Sequence, residues 1–257
     1  MNSVAAIATL MGLSFGAVYP LCLWCNKKSV IARFYHYQLL LAAVSGLIGI
    51  SLLWYFKIGL QLRLSGLVWL AALSATTAFY WGRDRIHIMV IAIPSIFGLI
   101  VFYQVTEIII FPALTVFLIQ ISGSVLLGLT LLLTMNIGKA PDNAKVIQAV
   151  WYILRTVLAL LVIRLVWIAY SVIWGPISQM PEVFSLQEFL ITVQGYIPGF
   201  AILFGILIPL LSIGLVFLQV QRNSYRLALK LLYPTLVSVL IAEILFKYYL
   251  FQYGIVL

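Results

Sequence analysis

The sequence predicts an all-α integral membrane protein: a bundle of about eight transmembrane helices with both termini on the outer, non-cytoplasmic side. Three observations predict it. First, 65% of the 257 residues are hydrophobic and 8% charged, whereas a soluble domain has roughly 45–50% apolar and roughly 25% charged residues. Second, the mean hydropathy is +1.17, and the apolar residues fall in runs of the roughly 20 needed to cross a hydrocarbon core. Third, Lys and Arg are concentrated in every other loop. This composition excludes a soluble enzyme, a disordered chain and a disulfide-rich module, and it makes the lipid bilayer the first partner. The balance of 15 Lys+Arg against 6 Asp+Glu gives a net charge of +9. Charges this sparse orient a chain in a membrane and touch anionic headgroups, so no nucleic-acid partner is expected.

The spans follow in order. The first covers 3–24 and ends before Asn26, Lys27 and Lys28. With no small-residue cleavage site behind it, it reads as a retained helix rather than a signal peptide. The second, 38–56, begins after Arg33 and His36, and the third, 64–81, stops at Gly82-Arg83-Asp84-Arg85. From Ile86 to Met135 the chain is almost unbroken apolar sequence, about twice one bilayer thickness, interrupted near its middle by Glu107 and Pro112. Because proline disfavours helix at the residue before it, a tight turn is expected at 107–112 between spans four and five. Asn136 to Lys145 reads as a turn, span six as 148–174 and Gly175 to Glu188 as a loop. Span seven, 189–219, contains Pro198 and Pro209 and should tilt or kink; span eight is 231–251. Residues 1–257 thus form one polytopic membrane domain.

Orientation comes from the loops. The odd-numbered ones hold ten Lys and Arg residues (Lys27, Lys28, Arg33, Arg83, Arg85, Lys139, Lys145, Arg222, Arg226 and Lys230), against only Lys57 and Arg63 in the even-numbered ones. The positive-inside rule places the odd loops in the cytoplasm and both termini outside.

Ionisable groups at membrane depth are costly and are candidates for function. Arg155 and Arg164 lie in span six, Glu243 and Lys247 in span eight, and Glu107 at the outer end of span four. Arg164, 16 residues beyond Gln148, and Glu243, 12 beyond Leu231, fall in the outer half with Glu107. Arg155, nine residues before Arg164, lies nearer the inner leaflet and on the opposite helix face. Glu243 and Lys247 have the i,i+4 spacing of a helical ion pair, so intramembrane charge pairing stands beside a ligand or proton site.

The remaining candidates point mostly to packing. His36 and His87, the two histidines, fall on one side of the membrane. Bis-His ligation of one b-type haem is conceivable there, but interfacial solvated His is the simpler reading. Cys22-Leu-Trp-Cys25 is a C-x-x-C with no second pair, so a four-thiolate metal site in this chain alone is excluded and small apolar packing is expected. Ser122-Gly-Ser124 with Gly128 allows close helix contact. Gly195-Tyr-Ile-Pro-Gly199, with Gln194 and Thr192 beside it, has the makings of a ligand crevice. No metal site, P-loop or catalytic pair is expected, and no internal repeat is visible.

Two stretches carry a family resemblance. One runs from Gly98-Leu-Ile-Val-Phe-Tyr103 through Phe111-Pro112-Ala113 to Ser122-Gly-Ser-Val-Leu-Leu-Gly128; the other is Ala242-Glu243-Ile-Leu-Phe-Lys247-Tyr-Tyr-Leu-Phe251. Together with eight helices and outer termini, they resemble the membrane-anchor subunit of the dimethyl sulfoxide reductase family and the related polysulfide-reductase-type membrane subunits. Lys247 stands where that family has Arg. Trp54-Tyr-Phe-Lys57-Ile-Gly59 stands where family members often have His-Leu-Gly. The resemblance implies an anchor in an energy-transducing bacterial or archaeal cytoplasmic membrane. Its partners would be a peripheral iron–sulfur subunit and a molybdopterin catalytic subunit, and it would exchange electrons with quinone or menaquinone. In that frame Glu107, Arg164 and Gln194 line a quinone slot near the outer face: Glu107 accepts a proton as quinol oxidises, and Arg164 stabilises the anionic form. The alternatives are a stand-alone transporter or lipid-handling protein, and a purely structural assembly subunit.

Overall fold

A computed structural model describes residues 3–26, 35–81, 83, 87–109, 114–140, 144–174 and 196–253. The described residues form helices joined by short turns, with no strand among them. The elements are α1 (Ser3–Cys22, followed by a 3-10 turn Leu23–Asn26), α2 (Tyr35–Tyr55), α3 (Leu60–Phe79), α4 (Ile88–Ile109), α5 (Leu114–Ile137), α6 (Ala144–Trp174), α7 (Tyr196–Ile202), a π-helical turn (Leu203–Leu207), α8 (Ile208–Gln221) and α9 (Tyr225–Tyr253). With α7, the π turn and α8 read as one span, eight helices among the described residues are long and apolar enough to cross a membrane. Helix is the state such a sequence must adopt in lipid, because every backbone N–H and C=O must find its partner within the segment.

The helix ends differ from the sequence reading in physically instructive places. The turn expected at 107–112 begins later: α4 continues through Glu107 to Ile109. A carboxylate in the last turn of a helix can reach water without ending the helix. Pro112 and the expected loop at 175–188, with the first residues of the expected seventh span, lie outside the described residues. The last helix starts at Tyr225, six residues before the expected 231. Arg226 and Lys230 ride on its first turns, where long stems carry their charges away from the apolar surface.

Two connections are tight for a stated reason. After α2, Lys57 adopts φ 53, its N–H donates to the Trp54 carbonyl and Ile58 N–H donates to the Leu53 carbonyl. After α8, Asn223 adopts φ 56, donates to Val220, and is followed by Ser224 donating to Gln219. Both are left-handed helix stops that satisfy the last carbonyls and turn the chain back at once.

The fold divides into two compact units, Met1–Gly128 and Leu129–Leu257, with the boundary inside α5. In the first unit small residues bring backbones together. A Cβ on Gly12 would lie 2.7 Å from the Ser45 carbonyl oxygen, and one on Gly16 would lie 2.9 Å from that of Ala42. The Ser45 hydroxyl donates back to the Gly12 carbonyl at 3.2 Å. This is the small-xxx-small seam that lets membrane helices touch. Trp69 of α3 is fully buried, its indole lying against Gly46 of α2 and Gly98 of α4. On α5, Ser124 donates to Ser14 at 2.7 Å, and Gly128 lies against Tyr19 and Cys22. Large apolar side chains on the outer faces, such as Leu47, Val68 and Ile93, are exposed, as lipid-facing residues are.

Candidate functional site

The second unit is built around an ionic centre. Its core holds Ile168 of α6, Ala201 of α7, Ile206 of the π turn, and Ala242, Phe246 and Tyr249 of α9. Within this apolar setting Arg164, Glu243 and Lys247 are all buried, at 5%, 2% and 2% exposure. Arg164 Nη1 donates to Glu243 Oε1 at 2.7 Å, and Lys247 Nζ donates to Glu243 Oε2 at 3.1 Å. Each carboxylate oxygen therefore serves its own cation. The Arg164 guanidinium also lies 5.0 Å from the Phe246 ring centroid, within cation–π range. Two cations on one carboxylate leave the centre with one excess positive charge.

Adjacent packing holds α9 in place. A Cβ on Gly205 would come 2.6 Å from Phe246 Cε2 and 2.8 Å from the Ala242 Cβ, so only glycine lets the π turn close on the α9 face that carries Glu243. The π turn itself follows from Pro209. Ile208 N–H donates to the Leu203 carbonyl, five residues back instead of four. The next residue, Pro209, has no N–H, so the helix offers the Phe204 carbonyl no donor. Ser238 Oγ of α9 donates to it instead. A wide turn before a proline, with the freed carbonyl taken by a neighbouring hydroxyl, meets the requirement that backbone polar groups be paired inside a membrane.

The other sequence candidates are placed as follows. Arg155 is exposed on α6, apart from the buried face that carries Arg164. Glu107 is exposed in the last turn of α4, in the first unit. Gln194 and Thr192 lie outside the described residues. The His36 ring sits among aromatics, 4.1 Å from Tyr37 and 4.8 Å from Trp81 between centroids. His87 is exposed; its N–H donates to the Tyr80 hydroxyl at 3.0 Å, and that hydroxyl donates to the His87 carbonyl at 3.2 Å. Cys22 is buried and Cys25 partly so, both free thiols; the Cys22 thiol donates to the Val125 carbonyl at 4.0 Å. Among the described residues no group of three or more His, Cys, Asp or Glu comes together to hold a metal ion.

Sequence reasoning missed Phe246, Gly205, Ser238 and the π turn. Phe246 was legible in principle, since it lies three residues after Glu243 and shares its face. Pro209 was the signal for the π turn. Nothing local marked Gly205 or Ser238, whose roles depend on which helix lies opposite. Comparison with protein-family models, with curated proteins and with solved structures finds no match to this chain.

Proposed function

We propose that this multi-pass membrane protein is the anchor subunit of a multisubunit respiratory oxidoreductase, holding peripheral iron–sulfur and molybdopterin subunits and exchanging electrons with membrane quinone. The observation that carries this reading is the charged centre Arg164–Glu243–Lys247, buried among apolar side chains within the spans. A centre at that depth is approached by a lipid-soluble carrier more readily than by a water-borne substrate. The basic bias of the odd loops supports outer termini, which puts Arg164, Glu243 and Lys247 in the outer half. In this reading Glu107, exposed at the end of α4, passes protons to the outer aqueous phase. Arg164, with Glu243 holding its guanidinium in place, contributes positive potential where negative charge develops on the carrier.

The test is purification from native membranes in mild detergent, with identification of co-purifying chains and assays for iron, molybdenum and quinone. Stoichiometric metals with two soluble partners are expected. A metal-free chain that purifies alone or as a homo-oligomer overturns the reading and turns attention to transport or lipid handling. Within an assembled complex, Glu107→Gln should slow quinol-dependent turnover; full turnover would remove Glu107 from the scheme.

A further inference from the structure

The charged centre of the second unit has a direction, set by the helices that carry it. Trp151 of α6 lies against Phe217 of α8, with ring centroids 5.0 Å apart. Thirteen residues further along α6, Arg164 meets Glu243, which neighbours the Ala242 and Phe246 that face Gly205 of the π turn. Following α6 forward therefore means following the α7–α8 span backward, and the tight Arg222–Ser224 turn reverses the chain again. So α6 and α9 run the same way. One turn beyond Arg164 on α6 stands Trp167, and one turn beyond Glu243 on α9 stands Lys247. Trp167 packs against the apolar cluster that contains Phe246, the residue before Lys247, and so does Tyr248, the residue after it.

Among the described residues, two donors here are left without a full set of acceptors. Trp167 Nε1 is buried without a hydrogen-bond partner, and an indole N–H can only donate. Lys247 Nζ has three protons, of which one is accounted for by Glu243 Oε2. Glu243, the one carboxylate among the described residues of this unit, has each oxygen committed. The α9 C-terminus gives no relief, because Lys247 is six residues before Tyr253 and the helix dipole acts within the last turn. A buried excess cation and an orphaned donor at one level of two parallel helices are costly unless something negative, with lone pairs only, completes them.

We infer that Lys247 and Trp167 form a binding site for an oxyanion, a carboxylate or phosphate, completed by the excess positive charge of the Arg164–Glu243–Lys247 centre. Trp167 is only partly buried, and its neighbours Val166 and Tyr170 are 64% and 54% exposed. The site thus borders the lipid-facing surface, where the head of an anionic amphiphile can reach it with the tail left in the bilayer. Such a site does not require the chain to anchor soluble subunits.

The test is equilibrium binding to the full chain in phosphatidylcholine nanodiscs, with empty nanodiscs as the blank. The probes are labelled oleate, its uncharged methyl ester and labelled inorganic phosphate. Oleate should bind about tenfold more tightly than the ester, the effect of one charge-assisted hydrogen bond. Lys247→Met removes the excess charge and leaves the Arg164–Glu243 pair intact; it should abolish that preference, and Lys247→Arg should restore it. Trp167→Phe should weaken oleate binding by a smaller factor. Displacement of oleate by acetate or phosphate assigns the site to free anions, and failure to displace it assigns the site to lipid heads. Equal binding of acid and ester, an unchanged preference in Lys247→Met, or no binding of oleate or phosphate above the blank overturns the inference.

Discussion

Replacing Glu243 by Gln removes the counter-charge of two buried cations in one step. The side chain keeps its size and can still accept one hydrogen bond, so the change is almost purely electrostatic. Breaking a buried pair by deleting one partner costs about 3–5 kcal/mol. Here a single carboxylate serves Arg164 at 2.7 Å and Lys247 at 3.1 Å, so the loss should reach the upper end, about 5 kcal/mol. Lys247→Met should behave differently. It leaves a neutral Arg164–Glu243 pair, substitutes an apolar side chain of similar length in an apolar core, and should change stability by no more than about 1 kcal/mol. The two mutations therefore differ strongly although both remove a charge at one salt bridge. The assay is reversible unfolding of the purified chain by titration with denaturing detergent, followed by far-UV circular dichroism. If Glu243→Gln costs no more than Lys247→Met, the carboxylate is not the hub of the second unit and the electrostatic reasoning fails.

Three further outcomes follow from the packing and the charge pattern. Gly98→Ala places a Cβ into the Trp69 indole and should destabilise the chain by about 1–3 kcal/mol, seen as a lower thermal midpoint in detergent. Ser238→Ala leaves the Phe204 carbonyl without its donor and should cost about 1 kcal/mol. In a Pro209→Ala background, where the helix regains an N–H, the same substitution should cost less, so a double-mutant cycle yields a non-zero coupling energy. Single cysteines replacing Lys57 and Lys139, in a variant with Cys22 and Cys25 replaced by alanine, should react oppositely with a membrane-impermeant thiol reagent in intact cells. Position 57 should label and position 139 should not, and the reverse pattern refutes the outer placement of the termini.

What could be read from the sequence depended on whether the signal lay within one helix or between two. Eight apolar runs were legible because the bilayer fixes their length, and each run contains its own hydrogen-bond partners. The spacing of Glu243 and Lys247 was legible for the same reason, since i,i+4 is a property of one helix. That Arg164 lies against Glu243 was visible only as a shared depth. Depth leaves the rotation of α6 free, and it is the burial of Ile168, Leu161 and Arg164 on one face that turns the guanidinium inward. Helix ends were misjudged where charged or small residues sit in the first or last turn, as at Glu107, Arg226 and Lys230. Hydropathy scores such residues against helix, whereas physically they mark where a helix meets water. Gly205 and Ser238 carry no local signal at all, because each matters only through the surface that faces it.

The two units hold together by different physics, and this predicts where the molecule is sensitive. In the first, Gly12, Gly16, Gly46 and Gly49 bring α1 and α2 into backbone contact, and the polar links are hydroxyls such as Ser14, Ser45 and Ser124. Dispersion and uncharged hydrogen bonds of this kind do not change with protonation state. In the second, one ionised carboxylate joins α6 to α9, and α9 in turn lies against the π turn through Ala242 and Phe246. Any agent that alters the charge balance around Glu243 therefore acts on the contact between α9 and a turn already widened by Pro209. Protonation of the carboxylate leaves two cations without their counter-charge, whereas a bound anion or the loss of Lys247 neutralises the excess, so these changes act on that contact in opposite senses. The ladder of backbone bonds at Leu203–Leu207 can return to α-helical spacing only if the Phe204 carbonyl exchanges its partner. Charge at Glu243 and register in the neighbouring span are thus linked through Ser238, five residues before Glu243 on α9. Hydrogen exchange across Leu203–Leu207 should consequently rise in Glu243→Gln, while exchange in α1 and α2 stays unchanged.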